Sequence, residues 1–320
     1  MQRSIEIALS VLVLAISISL VVLGRQSIQS TPSTDRSTTT PVSPTTTELV
    51  TVAAAGDIAC EPGETASATA CRMGETADLV ASRDVDAILL LGDLQYQDGA
   101  LEKFHAVFDQ TWGKIKARLY PSPGNHEYGT PAAKGYFDYF GAEAGEDRRG
   151  YYSFNLGSWH IVSLNSNCSG AGGCGENSPQ GLWLNNDLAA NPSQCTLAFW
   201  HHPRFSSGRY HPGEATVGSF WNILYENGAD VVLNGHDHLY ERFAPMNPSG
   251  ETDEERGIRQ FTVGTGGRSL YQFTTVLPTS EARNDEEFGV LFLILSDGSY
   301  DWEFVTIGGG LVDSGTNSCH

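Results

Sequence analysis

From residue 48 onward, short apolar runs alternate with longer stretches whose apolar residues recur at helical spacing. The runs at 49–55, 87–91, 151–156, 160–165, 196–200, 230–233, 260–263, 289–295 and 300–305 predict strands. The stretches 74–82, 101–119, 179–190 and 216–226 predict helices. Strands alternating with amphipathic helices specify a layered α/β fold. The C-terminal third, rich in strands and turns, predicts a second sheet packed on the first.

Two segments before residue 48 follow neither pattern. Residues 7–23 form an apolar run with Arg3 in front and no charge inside, long enough to engage the secretion machinery and close to spanning length. Residues 1–26 therefore read as a signal peptide or an uncleaved membrane anchor, because no clear small-x-small site precedes Arg25. A buried core helix is the competing reading. Residues 27–47 are mostly Ser, Thr and Pro, which bury no core and predict an extended stalk. The folded domain is then 48–320. These segments predict a protein that is secreted or membrane-anchored, tethered in the latter case through residues 7–23.

Composition narrows the partners. The chain is 40% apolar and 18% charged, which suits a domain with a sizeable core. Its net charge of -19, from 38 acidic and 19 basic residues, argues against binding nucleic acid or an anionic membrane. An anionic substrate would need strong local positive charge. All six cysteines lie beyond the stalk, which favours disulfides in an exported chain. Cys60 with Cys71 and Cys168 with Cys174 close short loops, leaving Cys195 for Cys319. Other pairings stay open, as does zinc binding by the thiolates, against which no CxxC pair is present.

The chemistry lies where apolar runs end. They lead into Gly56-Asp57, Gly92-Asp93-Leu94-Gln95-Tyr96, Gly124-Asn125-His126-Glu127, His201-His202 and Gly235-His236-Asp237-His238. Each cluster alone suits a turn. Their recurrence at strand ends is the signal, since open α/β sheets gather ligands at the carboxyl ends of their strands. Residues 236 and 238 alternate in an extended segment, so both imidazoles can reach one point. Glycine at the start of every cluster but His201-His202 allows a sharp turn.

This set resembles the calcineurin-like metallophosphoesterases and, more narrowly, the purple acid phosphatases, over about 52–243. The broader superfamily opens with Asp-x-His, yet here Ala59 stands at the third position and cannot bind a metal. Purple acid phosphatases supply a tyrosine from Gly-Asp-x-x-Tyr instead, which this chain has at 92–96. The resemblance implies a four-layer α/β/β/α sandwich of two mixed sheets and a pair of metal ions. It places Asp57, Asp93, Tyr96 and His238 on the first metal and Asp93, Asn125, His201 and His236 on the second, with Asp93 bridging. Carboxylate and phenolate donors suit iron at site one, and an amide oxygen with imidazoles suits Fe, Zn or Mn at site two.

The same resemblance implies hydrolysis of phosphate monoesters by in-line attack of metal-generated hydroxide on a small-molecule ester. Asp93 and His126 would be catalytic, His126 protonating the leaving oxygen with Glu127 orienting it. His202, Arg204, His211 and Arg242 are candidates to hold the phosphate. His105, His160 and His320 read as structural. The alternatives are a phosphodiesterase with the same metals and a catalytically decayed wall-binding protein.

Overall fold

The computed structural model describes residues 49–320. The expected anchor at 7–23 and the stalk at 27–47 lie outside them. In chain order the strands are β1 (Val50–Ala55), β2 (Ala87–Leu91), β3 (Leu119–Ser122), β4 (Tyr152–Leu156), β5 (Trp159–Ser163), β6 (Cys195–Phe199), β7 (Val231–Asn234), β8 (Tyr240–Met246), β9 (Ile258–Val263), β10 (Ser280–Asn284), β11 (Gly289–Ser296), β12 (Ser299–Thr306) and β13 (Leu311–Ser318). The α-helices are α1 (Met73–Ala81), α2 (Leu101–Ala106), α3 (Lys134–Phe140), α4 (Pro179–Ala190) and α5 (Gly218–Glu226).

One sheet has the order β13-β12-β11-β1-β2-β3 and the other β10-β8-β9-β7-β6-β5-β4. Both are mixed. β1, β2 and β3 run parallel in the first, as do β5, β6, β7 and β9 in the second, and the remaining neighbours are antiparallel. Alternation along each strand sends side chains to two cores. Leu89 and Leu91 of β2 meet Leu197, Phe199 and Leu233 between the sheets. Ile88 and Leu90 face outward onto Phe104, Trp112 and Tyr136. On the far side Ala198 and Val232 pack against Leu184, Phe220 and Trp221. The result is the α/β/β/α sandwich, whose central strands read as continuous apolar runs because both faces are covered. Each large side chain buried there contributes roughly 1.5–3 kcal/mol.

The C-terminal third does not form its own sheet, contrary to the pattern-based expectation. β11 to β13 extend the first sheet beside β1, while β8 to β10 extend the second beside β7. The helix expected over 101–119 also breaks. α2 ends at Ala106 and is followed by 3-10 turns at Phe108–Gln110 and Trp112–Arg118. Phe104, Phe108 and Trp112 keep a four-residue spacing into the core. Between them the Thr111 hydroxyl bonds the carbonyls of Val107 and Phe108, competing with the helical ladder. β3 escaped the pattern because it is four residues long and holds Pro121, tolerated there on the sheet edge.

The cysteines are paired as Cys60 with Cys71, Cys168 with Cys174 and Cys195 with Cys319. The last bridge ties the end of β13 back to β6 across 124 positions of sequence. Among the described residues no helix is long and apolar enough to cross a membrane.

Candidate metal centre

The carboxyl ends of the parallel strands of both sheets meet at one edge of the sandwich. Their loops are laced together through the backbone. Asp57 N–H donates to Gly92 O at 3.0 Å, Ile58 N–H to Asp93 O at 2.9 Å and Gly235 N–H to His201 O at 3.0 Å. Tyr96 N–H donates to Ala59 O at 2.9 Å, so the phenol is delivered by the segment paired with residue 59. Asp57, Asp93 and His236 take φ of 60°, 50° and 71°, a left-handed conformation that L residues rarely adopt. The glycines of these loops serve close approach, and Gly92, at φ 83°, turning as well. A side chain at Gly124 would strike Asp93 Oδ1 at 2.1 Å, and one at Gly235 would strike Asp57 Oδ2 at 2.7 Å.

Two groups of donor atoms share one carboxylate. Tyr96 Oη lies 2.9 Å from Asp57 Oδ1, 2.9 Å from His238 Nε2 and 3.2 Å from Asp93 Oδ2. His201 Nε2 lies 3.2 Å from the same Asp93 Oδ2, 3.1 Å from Asn125 Oδ1 and 3.1 Å from His236 Nδ1. Each aspartate uses its other oxygen as an anchor: Asp57 Oδ2 accepts His236 N–H and Asp93 Oδ1 accepts His126 N–H, both at 2.8 Å. The imidazoles are steered from behind, His201 Nδ1 by Leu91 O and His238 Nδ1 by Ser269 Oγ, each at 2.8 Å.

Such a cluster fits cations. The phenol has one proton for three acceptors, so acceptor faces acceptor elsewhere around it. Burial would lower His201, but Asp93 and Asp57 raise it to about 9, because a positive charge is what its surroundings call for. His236 is held well below the usual imidazole value by burial and by His201. Burial and the Asp57 charge hold the Tyr96 phenol well above its ordinary value. Oxygen and nitrogen donors from Asp57, Asp93, Tyr96 and His238 would hold one ion, and those from Asp93, Asn125, His201 and His236 a second.

The sequence of residues 50–240 matches the family model described as calcineurin-like phosphoesterase. The chain belongs to the calcineurin-like phosphoesterases. Among this phosphoesterase's relatives are purple acid phosphatase 15 of Arabidopsis thaliana, 30% identical over 49% of this chain and 36% of the relative, and purple acid phosphatase 21 of the same plant, 28% identical over 59% and 45%. The chain thus spans less than half the length of these curated relatives. In structure it resembles the purple acid phosphatase PPD1 of yellow lupin (Lupinus luteus) seeds, with a TM-score of 0.72 and 18% identity over 85% of this chain and 54% of that one. GAP50, the anchor in the inner membrane complex of Plasmodium, also shares the fold, with a TM-score of 0.60 and 14% identity over 85% and 89%.

Of the other expected residues, this phosphoesterase brings three to the cluster. The His126 ring lies tilted 4.2 Å from the Tyr96 ring, its Nδ1 2.5 Å from Gln97 O and its Nε2 3.8 Å from Asp93 Oδ2. The His202 ring lies 4.4 Å and the His211 ring 4.0 Å from the His236 ring. Two do not come. Arg242 binds Asp313 at 2.7 Å, pairs with Glu281 and lies over Trp302, because it belongs to β8 and points into the sheets. Arg204 lies over Phe205 at 4.9 Å, beside Gly218 at the start of α5. Both expectations are corrected.

Glu127 does not orient His126. Fully buried, it accepts backbone N–H groups from Asp93, Leu94, Gln95 and Gly124, locking two metal-site loops together. Burial and Asp93 push it up to about 7 against the Gly124 and Gln95 N–H groups. Sequence reasoning passed over Asp237, whose buried carboxylate meets Ser206 Oγ and lies 3.2 Å from His211 Nδ1. It stood inside the His236-Asp237-His238 motif, the one signal available. Tyr271, stacked on His238 at 4.0 Å, had no motif to mark it.

Proposed function

We propose that this protein is an exported phosphoesterase with two metal ions, iron at site one and Fe, Zn or Mn at site two, hydrolysing phosphate monoesters. The observation that carries this reading is Tyr96 Oη, within 3.2 Å of Asp57, Asp93 and His238 although residue 59 offers no ligand. A phenolate there, with the carboxylates of Asp57 and Asp93, the latter shared between the sites, favours a hard trivalent ion beside a divalent one. The three disulfides support an oxidising compartment.

Bound together, the cations would act as Lewis acids toward the phosphoryl oxygens and lower the pKa of a coordinated water. Their charge answers the problem of an acidic protein meeting an anionic substrate. The chain supplies the remaining parts. Gln97 O holds His126 Nδ1–H, leaving Nε2 on the cluster side to pass a proton to the departing alkoxide. Asp237 holds His211 at Nδ1, so the opposite nitrogen can meet a phosphoryl oxygen. Glu127 keeps Asp93 and Asn125 in register from beneath.

Metal-replete protein should hydrolyse a phosphate monoester faster than a matched diester, measured side by side across pH. A ratio strongly favouring the diester would reverse the substrate order. No hydrolysis of either at any pH would leave a binding protein on a phosphoesterase fold.

A further inference from the structure

Beside the cluster, and sharing His202 with it, opens a cavity of about 360 Å³. Its wall is the disulfide-closed loop from Cys168 to Cys174, with Tyr128 and Glu214 on the other sides. The wall is fixed from behind. Asn165 receives Asn167 N–H and side-chain N–H on its Oδ1, and it donates from Nδ2 to Tyr128 Oη at 2.7 Å. Asn167 Nδ2 also reaches Pro123 O at 3.0 Å.

The polar atoms facing this space are spoken for on one side only. Tyr128 Oη is an acceptor toward Asn165, and its own proton has no partner among the described residues. Ser166 Oγ accepts His202 N–H at 3.1 Å and lies 2.7 Å from Nδ1. The arrangement that uses every proton turns the hydroxyl hydrogen onto Nδ1 and leaves Nε2–H as a donor. Glu214 Oε1 caps Thr216 N–H at 2.9 Å, with Oε2 left to accept. No Lys or Arg is among the lining residues, so the one full charge at the cavity is the Glu214 carboxylate. The space suits on the order of ten non-hydrogen atoms.

Resting on the phosphoesterase reading, we infer that this cavity seats the organic arm of the ester and selects a neutral, hydroxyl-rich arm, up to about hexose size. A second anionic group on the arm meets Glu214 and no compensating cation. Alternating donors and acceptors match hydroxyl groups, which offer both.

The test uses two phosphonates of one carbon skeleton, 3,4-dihydroxybutylphosphonate and 2-hydroxy-4-phosphonobutanoate, titrated calorimetrically into metal-replete full-length protein. The diol should bind roughly tenfold more tightly than the carboxylate, as expected for one like-charge contact at partial burial. Glu214→Gln should remove most of that difference. Ser169→Trp, which fills the cavity, should weaken the diol and leave inorganic phosphate affinity unchanged. Equal affinities in the wild type, or full diol affinity in the Trp variant, would overturn the inference. Turnover of the matching esters is read separately. Selective binding without hydrolysis would reject the enzymatic reading and keep the subsite, whereas hydrolysis without selectivity would reject the subsite alone.

Discussion

Replacing Tyr96 with Phe removes a single oxygen and keeps the ring, which packs 4.2 Å from His126 and beneath Arg268 at 5.3 Å. In metal-free protein the loss amounts to one buried hydrogen bond to a charged group, about 1.5–3 kcal/mol. That cost leaves the variant folded. Toward metal the loss is larger, since the proposed first site falls from four protein ligands to three and gives up one anion. Losing a group that merely orients a ligand weakens metal binding by roughly 10–100-fold, so losing a ligand should cost at least about 100-fold, or about 2.7 kcal/mol. Ferric tyrosinate absorbs visible light, which gives a direct assay. Purified wild type should be coloured and hold iron, and Tyr96→Phe at equal concentration should be colourless and depleted at site one, with circular dichroism unchanged. A visible band or full iron content persisting in the variant would refute the assignment, because another side chain would then be supplying the donor.

Asn125→Ala and His201→Ala should empty the second site before the first, which metal analysis after dialysis against increasing chelator would follow. Glu127→Gln replaces a carboxylate serving four N–H donors with a group that has one acceptor oxygen and an NH₂ turned toward donors. Denaturant unfolding should show a loss of about 2–4 kcal/mol, together with reduced metal retention. In metal-free protein the neutral, buried imidazoles of His202 and His236 make stability rise with pH up to about 6.5, and a net loss should begin above that value. Glu127, raised to about 7 from 4.5, contributes fully below 4.5 and ceases to do so through 7. His201, raised to about 9 from 6.5, contributes fully below 6.5, and about 3 kcal/mol is lost through 9. Metal-loaded protein should lack the His201 part, so melting curves with and without metal should diverge toward pH 9, and parallel curves would contradict the placement of His201.

Strands with both faces buried, such as β2, announced themselves as apolar runs, and the clusters at their ends announced the candidate site. Elements that satisfy fewer apolar constraints stayed silent. β13 reads Leu-Val-Asp-Ser-Gly-Thr-Asn-Ser, and its less exposed positions hold Asp313, Gly315 and Asn317, so its alternation left no apolar pattern. α3 has buried aromatics at helical spacing, Tyr136, Tyr139 and Phe140, but its seven residues are too few to sustain a period.

The sequence by itself determined the layered class and which residue types stand at the strand ends, because burial periodicity and motif spacing are local properties. Only the tertiary structure decided that β11 to β13 and β8 to β10 go to different sheets, that Arg242 and Arg204 turn away from the cluster, and that Glu127 and Asp237 brace it from behind. Those outcomes depend on which distant segments hydrogen-bond to one another, and a pairing between residues far apart in the chain leaves no periodic trace in either partner.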